Sequence, residues 1–302
     1  MSAWVEVLAP AKINLTLTIK GRRDDGYHEL ESLMVPLALA DVVRCQATAE
    51  DRIVVRCAHP QVPTGRENLA VQAAELLRKH VCPGRGAEII ITKRIPVAAG
   101  LAGGSTDAAA TLLALNQLWG LGLTVTELHN LASQLGADVP FCLHARAAIG
   151  RGRGERLQFI EPMANWPVVL VNPGFALSTR VAYALFDQNP VVNDHTSALE
   201  VARLLRDGLL VAAAQHAQNH LQDVVASHYP AVAELLHEVR ATGMPFVAQT
   251  GSGPTIFAVG EDAKMAQRAA RLLAGNPERL ILVTKLEEFS GEKRISVNGK
   301  SI

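Results

Sequence analysis

The chain has 302 residues, a length that fits about two domains. Hydrophobic residues make up 49% and charged residues 19%, which excludes a disordered chain, and 23 glycines with 15 prolines exclude collagen-like and low-complexity readings. Lys+Arg and Asp+Glu each number 29, so the net charge is zero and nothing favours a nucleic-acid binder, whose footprint is a basic excess. Cys45, Cys57, Cys82 and Cys142 are widely spaced, with no C-x-x-C pair. A chain this long buries a core without disulfide staples, so the four read as reduced packing residues of a cytoplasmic protein. Met1 to Leu17 lacks a basic start and an unbroken apolar run, so it is not a signal peptide. No stretch reaches the roughly 18 apolar residues of a spanning helix, and the expectation is a soluble protein with no membrane partner.

In chain order, Ile13, Leu15, Leu17 and Ile19 alternate with polar residues, the period of a half-buried strand. Gly21 to Gly26 reads as a turn. Leu30 to Leu39, Asp41 to Ala47 and Arg52 to Cys57 read as strands, Asn68 to His80 as a helix and Glu88 to Thr92 as a strand. Ile95 to Asp107 then runs Ile-Pro-Val-Ala-Ala-Gly-Leu-Ala-Gly-Gly-Ser-Thr-Asp into a helical stretch ending at Trp119. The order is strand, glycine-rich loop, helix. Thr124 to Leu135 is a second helix, its start marked by Thr124 with Glu127 three residues on. Gly136 to Pro140 breaks it.

Beyond about residue 150 the order becomes Val168–Val171 strand, helices at Thr179–Phe186, Thr196 to about Asn219 and Ala231–Ala241, then strands Phe246–Gln249 and Thr255–Val259, helix Glu261–Ala274 and strand Leu280–Thr284. With the extra helices set aside this is β-α-β-β-α-β, the ferredoxin-like order. The expected division is 1–155 for the first domain, 156–288 for the second and 289–302 for a polar tail without pattern.

The glycine loop reads in two ways. A helix N-terminus offers free N–H groups and a positive dipole end, and glycines let the backbone wrap phosphate oxygens, with Ser105 and Thr106 adding hydroxyls. Alternatively it is a softened strand-to-helix turn with Ser105 or Thr106 as N-cap. It is neither a Walker A loop nor a dinucleotide fingerprint, because the spacing is wrong for both. Three further segments each have a bland reading when taken alone. Pro10 to Asn14 is a strand head with Lys12 and Asn14 on one face. Gly136 to Pro140 is a turn, and Thr250 to Thr255 is a hairpin loop.

Taken together these segments resemble the GHMP kinase superfamily, whose Pro-x-Gly-x-Gly-Leu-x-x-Ser/Ala-Ser core looks like Pro96 to Thr106. The resemblance runs from about Val7 to Lys285. It implies an α/β (α+β) two-domain fold, the N-terminal domain like the second domain of ribosomal protein S5 and the C-terminal domain ferredoxin-like. Lys12, Gly26-Tyr27-His28 and Gly136 to Pro140 resemble the branch that phosphorylates a cytidine diphosphate ester of methylerythritol in the non-mevalonate isoprenoid route. The alternatives are a homoserine- or mevalonate-type kinase, or a non-catalytic nucleotide-binding protein on the same scaffold. The resemblance implies Lys12 and Asp138 as catalytic residues flanking the hydroxyl to be phosphorylated. It implies an ATP site formed by Pro96, Val97, Ala98, Ala99, Gly100, Leu101, Ala102, Gly103, Gly104, Ser105 and Thr106, with Asn68, Leu69 and Lys93 beside it. Asn14, Tyr27, His28, Thr179 and Tyr183, together with Asp138, are implied for the cytidine substrate.

Mg2+ is expected to arrive with ATP, with Ser105 and Asp107 as residues that could touch it; Asp107 reads equally as a carboxylate favoured by the helix dipole. Ala102 stands where some members carry glycine, and its methyl is tolerable only at negative φ. A monomer or weak homodimer is expected. His129, His144, His195, His216, His220 and His237 show no ligand spacing, and Arg151 to Arg156 reads as a polar hairpin or a basic run that guides anions.

Overall fold

The structure, a computed structural model, describes residues 3–80, 83–190, 197–289 and 294–301. Cys82 and His195 lie outside them. Cys45, Cys57 and Cys142 are free thiols. No helix among the described residues is long and apolar enough to cross a membrane.

The first domain opens with β1 (Trp4–Asn14), β2 (Thr18–Arg22), β3 (His28–Thr48), β4 (Ile53–Cys57), α1 (Leu69–His80) and β5 (Gly86–Thr92). It continues with α2 (Gly103–Leu118), α3 (Val125–Leu135), α4 (Val139–His144), β6 (Ala148–Gly152) and β7 (Arg156–Phe159). The sheet runs β1-β3-β5-β4, with β4 parallel to β5, and β2 and β6 also pair with β3. Two strand readings merge here, because β3 is continuous across Ala40. The expected strand from Ile13 to Ile19 is instead cut in two. Leu17 forms a bridge to Asn219 in the second domain, and that pairing takes the chain off the sheet between β1 and β2.

Helix α2 explains its own composition. Ala108, Ala109, Ala110 and Ala114 are fully buried because α2 lies between the sheet and helices α1, α3 and α4. A helix enclosed on all sides is apolar all round, and small side chains let its neighbours approach. Helix α3 carries the expected capping box: Thr124 accepts from the Glu127 N–H and Glu127 from the Thr124 N–H. Asp138 starts a further short helix, α4, where the sequence suggested only a break.

The second domain comprises β8 (Pro167–Asn172), α5 (Thr179–Gln188), α6 (Ala198–Arg206), α7 (Leu210–His216), α8 (His220–His228), α9 (Pro230–Ala241), β9 (Phe246–Gln249), β10 (Ile256–Val259), α10 (Ala263–Leu273) and β11 (Leu280–Lys285). Its antiparallel sheet has the order β11-β8-β10-β9, the ferredoxin-like arrangement. The helix expected from Thr196 to Asn219 divides at Gly208, whose φ of 80° ends α6 in the left-handed conformation that favours glycine.

Two expectations about boundaries need correction. Arg156–Phe159 falls within the expected second domain, but β7 pairs with β6 and belongs to the first sheet. The tail is not without pattern: β12 (Ile295–Val297) pairs antiparallel with β1, and β13 (Lys300–Ser301) pairs with β12. Strands of two or three residues are too short to show a period, and their partner lies at the other end of the chain.

The imidazoles of His129 on α3 and His144 on α4 meet at 3.1 Å. Burial, then the charges of His129, Arg146 and Arg294, pushes His144 from 6.5 down to about 4. The folded protein therefore declines a proton that the unfolded chain accepts below about pH 6.5. Stability is complete above that pH and falls progressively toward pH 4. Urea midpoints measured across this window should drop for the wild type and drop less steeply for His144→Leu.

Candidate active site

The site starts from a bulge. The register of β1 on β3 jumps from Pro10↔Ala40 to Lys12↔Pro36. Bulges re-aim side chains and free ladder groups. The freed Lys12 N–H donates to Leu101 O at 3.2 Å, which docks the glycine loop on the strand. The Lys12 ammonium, on a residue only 5% exposed, donates to Asn14 Oδ1 at 2.7 Å and lies 3.5 Å from Asp138 Oδ2. Asn14 Nδ2 donates to Ser32 Oγ, and Ser32 Oγ to Thr16 O, so the acceptor beneath Lys12 is fixed by a buried chain of hydrogen bonds. From the second domain, Thr250 Oγ1 accepts the Asn14 N–H, and Asn219 Nδ2 donates to Gln249 O and Gly251 O. Gly251 sits so close to Asn14 that an added Cβ would lie 3.1 Å from its Oδ1, and φ there is 55°.

The glycine loop enters α2 earlier than the sequence suggested. Its N-cap is Ala102 at φ 60°, with no side-chain cap, and not Ser105 or Thr106. The condition of negative φ set for the Ala102 methyl is therefore not met, and Ala98 is also left-handed at φ 55°. Such positions cost about 1–3 kcal/mol each for a residue with a side chain. An alanine N-cap leaves the first-turn N–H groups without a side-chain acceptor. Gly100 packs on the second domain, where a Cβ would meet Gly253 O at 3.0 Å. Thr106, expected in the site, is fully buried and turned away from the cleft.

Lys93 and Asp107 are joined in one buried cluster. Lys93 Nζ donates to Asp107 Oδ2 at 2.8 Å and to Asp41 Oδ2, and Asp41 Oδ1 accepts the N–H groups of Arg94 and Ile95. Burial opposes the Lys93 charge, but Asp107 and Asp41 outweigh it and raise its pKa. Burial pushes the Asp107 carboxyl up, against the pull of Lys93 and with the push of Asp41. Asp107 Oδ1 has no hydrogen-bond partner among the described residues. Asn68 accepts the Ala70 N–H and donates to Pro63 O, so its side chain caps α1.

The opposite wall is aromatic. His28 stacks on Tyr183, with ring centroids 4.9 Å apart, and its Nε2 lies 2.7 Å from Asp187 Oδ1. A carboxylate only accepts, so Nε2 is the protonated nitrogen. Burial, then the charge of Asp138, holds the Tyr183 phenol well above its ordinary value. Tyr27 is 57% exposed, with the Arg153 guanidinium 5.0 Å above its ring. Thr179 Oγ1 lies 3.0 Å from Ser252 Oγ and ties α5 to the hairpin loop.

These walls enclose a cleft of about 1110 Å³ between the domains. That is slightly above the roughly 300–1,000 Å³ of single-ligand pockets, and the lining runs from the glycine loop at one end to the aromatic wall at the other. Every residue expected in the site except Thr106 lines it. Arg153, from the basic run that could guide anions, also lines it, whereas the sequence reading missed Asp187 and Asp41. Asp187 was accessible from its i, i+4 spacing to Tyr183 on one helix face; Asp41, inside a long strand, gave no signal.

The family model for the GHMP kinases N terminal domain matches residues 68–146, and that for GHMP kinases C terminal matches 198–276. A 4-diphosphocytidyl-2-C-methyl-D-erythritol kinase of Bacillus cereus is 39% identical over 282 residues, which is 93% of this chain and 97% of that protein. The protein of the same name from Bacillus mycoides is 40% identical with the same coverage. A crystal structure of 4-(cytidine 5'-diphospho)-2C-methyl-D-erythritol kinase superposes with a TM-score of 0.79 at 35% identity, covering 93% of this chain and all of that one. A homoserine kinase from Cytophaga hutchinsonii superposes at 0.75 with 17% identity over 98% of both chains, a likeness of fold alone.

Lys93→Met would strand two carboxylates around an apolar side chain. Breaking a buried ion pair in this way costs about 3–5 kcal/mol. Denaturant melts should show a loss of that order, and adding Asp107→Leu should recover part of it.

Proposed function

The chain belongs to the GHMP kinases, in the branch of the 4-diphosphocytidyl-2-C-methyl-D-erythritol kinases, and from that membership we propose that it transfers the γ-phosphoryl group of ATP to the 2-hydroxyl of 4-diphosphocytidyl-2-C-methyl-D-erythritol, a step of non-mevalonate isoprenoid synthesis. The observation that carries this reading is the pairing of Lys12 Nζ with Asp138 Oδ2 at 3.5 Å, in a cleft that also holds an uncapped helix start and an aromatic wall.

Asp138 accepts the proton of the attacking hydroxyl, and Lys12 stabilises the negative charge that develops beside it. Phosphoryl transfer asks the protein mainly for positioning and electrostatics. The triphosphate lies at the start of α2, where the main-chain N–H groups of Gly103, Gly104 and Ser105 are its donors. The adenine lies toward Asn68 and Leu69. Mg2+ comes as the ATP complex. Its fit is supported by the Ser105 hydroxyl and by Asp107 Oδ1, a buried carboxylate oxygen without a partner among the described residues, on a residue that lines the cleft. These two groups would hold it, and the cation would screen the β- and γ-phosphate charge.

The cytosine stacks against Tyr27 and Tyr183 and takes its edge contacts from His28. With Nε2–H directed to Asp187, His28 Nδ1 is an acceptor, which suits the exocyclic amine of cytosine. A site that hydrogen-bonds a polar group rejects analogues lacking it by large factors. Release of ADP with the cytidine ester, and not with homoserine or mevalonate, is the direct test of the activity.

Two variants probe the two halves of the site. An added Cβ at Gly104 meets only Leu69 Cδ1, at 3.7 Å, so Gly104→Val should fold and raise the KM for ATP strongly. Unchanged ATP kinetics in the folded variant would remove the phosphate role from this loop. Asp138→Asn keeps shape but cannot take a proton. Single-turnover transfer at saturating ATP should slow about 10²–10⁴-fold, with ATP affinity little changed. A folded variant at wild-type speed would end the base assignment.

A further inference from the structure

Arg294 lies in the chain's C-terminal return, just before β12, and is 3% exposed. Its Nε donates to Leu8 O at 3.0 Å, and its Nη1 donates to Cys142 O at 2.9 Å and Leu143 O at 2.8 Å. The first acceptor is on β1, four residues before Lys12. The other two are in the last turn of α4, the helix that Asp138 starts. Both are carbonyls of the kind that a helix end leaves without a partner. The neighbouring carbonyl, Phe141 O, already takes the Ala145 N–H. Burial pushes the guanidinium down to about 10, so it stays charged at neutral pH. A single cation thus joins the strand that carries Lys12 to the helix that carries Asp138.

Helix α4 has only six residues. A helix that short has little stability of its own and takes its position from its tertiary contacts. We propose that Arg294 is a positioning residue for phosphoryl transfer: by clamping the last turn of α4 to β1 it holds the Asp138 carboxylate at its working distance from the Lys12 ammonium. This rests on the roles given above to Lys12 and Asp138. Arg294 touches neither side chain, so it acts through the main chain of both elements.

The test is single-turnover transfer from saturating ATP to the cytidine ester by full-length Arg294→Ala, with folding checked by thermal melt. A misplacement on the scale of 1 Å costs on the order of 10²-fold, so the rate should fall about 10- to 100-fold while the Kd for ATP stays near that of the wild type. Free guanidinium at non-denaturing concentration should restore part of the rate. Added to Asp138→Asn, the same substitution should cost little more, because the group it positions is already disabled. A folded Arg294→Ala enzyme at wild-type rate overturns the proposal. An equal loss in both backgrounds also overturns it, since that would be a general effect on the fold. If the alanine variant does not melt cooperatively, Arg294→Lys, which keeps the charge but loses the fork, replaces it. An intermediate rate supports the proposal, a wild-type rate overturns it, and failure of both variants to fold leaves Arg294 a structural residue and overturns it as well. Asp138→Asn measured alone tells the two readings apart: a fast Asp138→Asn enzyme removes the base assignment, whereas a slow one beside a fast Arg294→Ala enzyme removes only the positioning role.

Discussion

An ammonium group almost closed off from water is the constraint around which this molecule is arranged. Removing such a charge from solvent carries a penalty of several kcal/mol unless partners replace the water. Lys12 finds them in Asn14, two residues on along the same strand face, and in Asp138, brought from the far side of α2. Asn14 in turn needs its amide satisfied, and Ser32 and Thr16 do so within the sheet. The polar groups beneath the cleft therefore form a closed set in which each fixes the next. A fully connected buried network of this kind gives its members one arrangement.

The same corner couples the two domains. Between β1 and β2 the chain leaves its own sheet, and Leu17 exchanges main-chain hydrogen bonds with residues 218 and 220. The Thr250 hydroxyl caps the Asn14 N–H, and the Gly253 and Thr250 carbonyls lie against Gly100. The glycines of both loops serve this close approach, since a methyl at Gly100 or Gly251 would press on the facing loop or on Asn14. The cleft is thus bounded by two loops that touch each other and by a strand bulge that aims Lys12 between them.

Stability is given up where the chemistry needs it. Ala102 sets no side-chain acceptor against the first-turn N–H groups of α2, which leaves them for an anion. Two alanines in the loop hold left-handed conformations that glycine would adopt without strain. Beside them, Lys93 bridges Asp41 and Asp107 in the interior. It ties the strand before the loop to the first turns of the helix after it, so the loop is anchored at both ends while its middle stays free for ligand.

The sequence by itself determined what local pattern encodes. The glycine-rich passage into an alanine-rich helix, the Thr124–Glu127 box and the β-α-β-β-α-β order are written in neighbouring residues, because capping, backbone freedom and hydrophobic period act over a few positions. The short segments around Lys12, Tyr27, Gly103 and Asp138 were also legible, each as a fragment. Only the tertiary structure decided how they meet. The bulge at Lys12 depends on the register between two strands, and the departure at Leu17 depends on the second domain. The helix start at Ala102, the inward turn of Thr106 and the role of Asp107 depend on what packs beside them. The tail is the extreme case. Arg294 and β12 find their partners on the first strand of the chain, and no spacing within a polar segment reports an acceptor some 286 residues away. Local rules fix which conformations a segment can adopt; which of its polar groups become buried, and against what, is set by contacts that the chain makes only once it has folded.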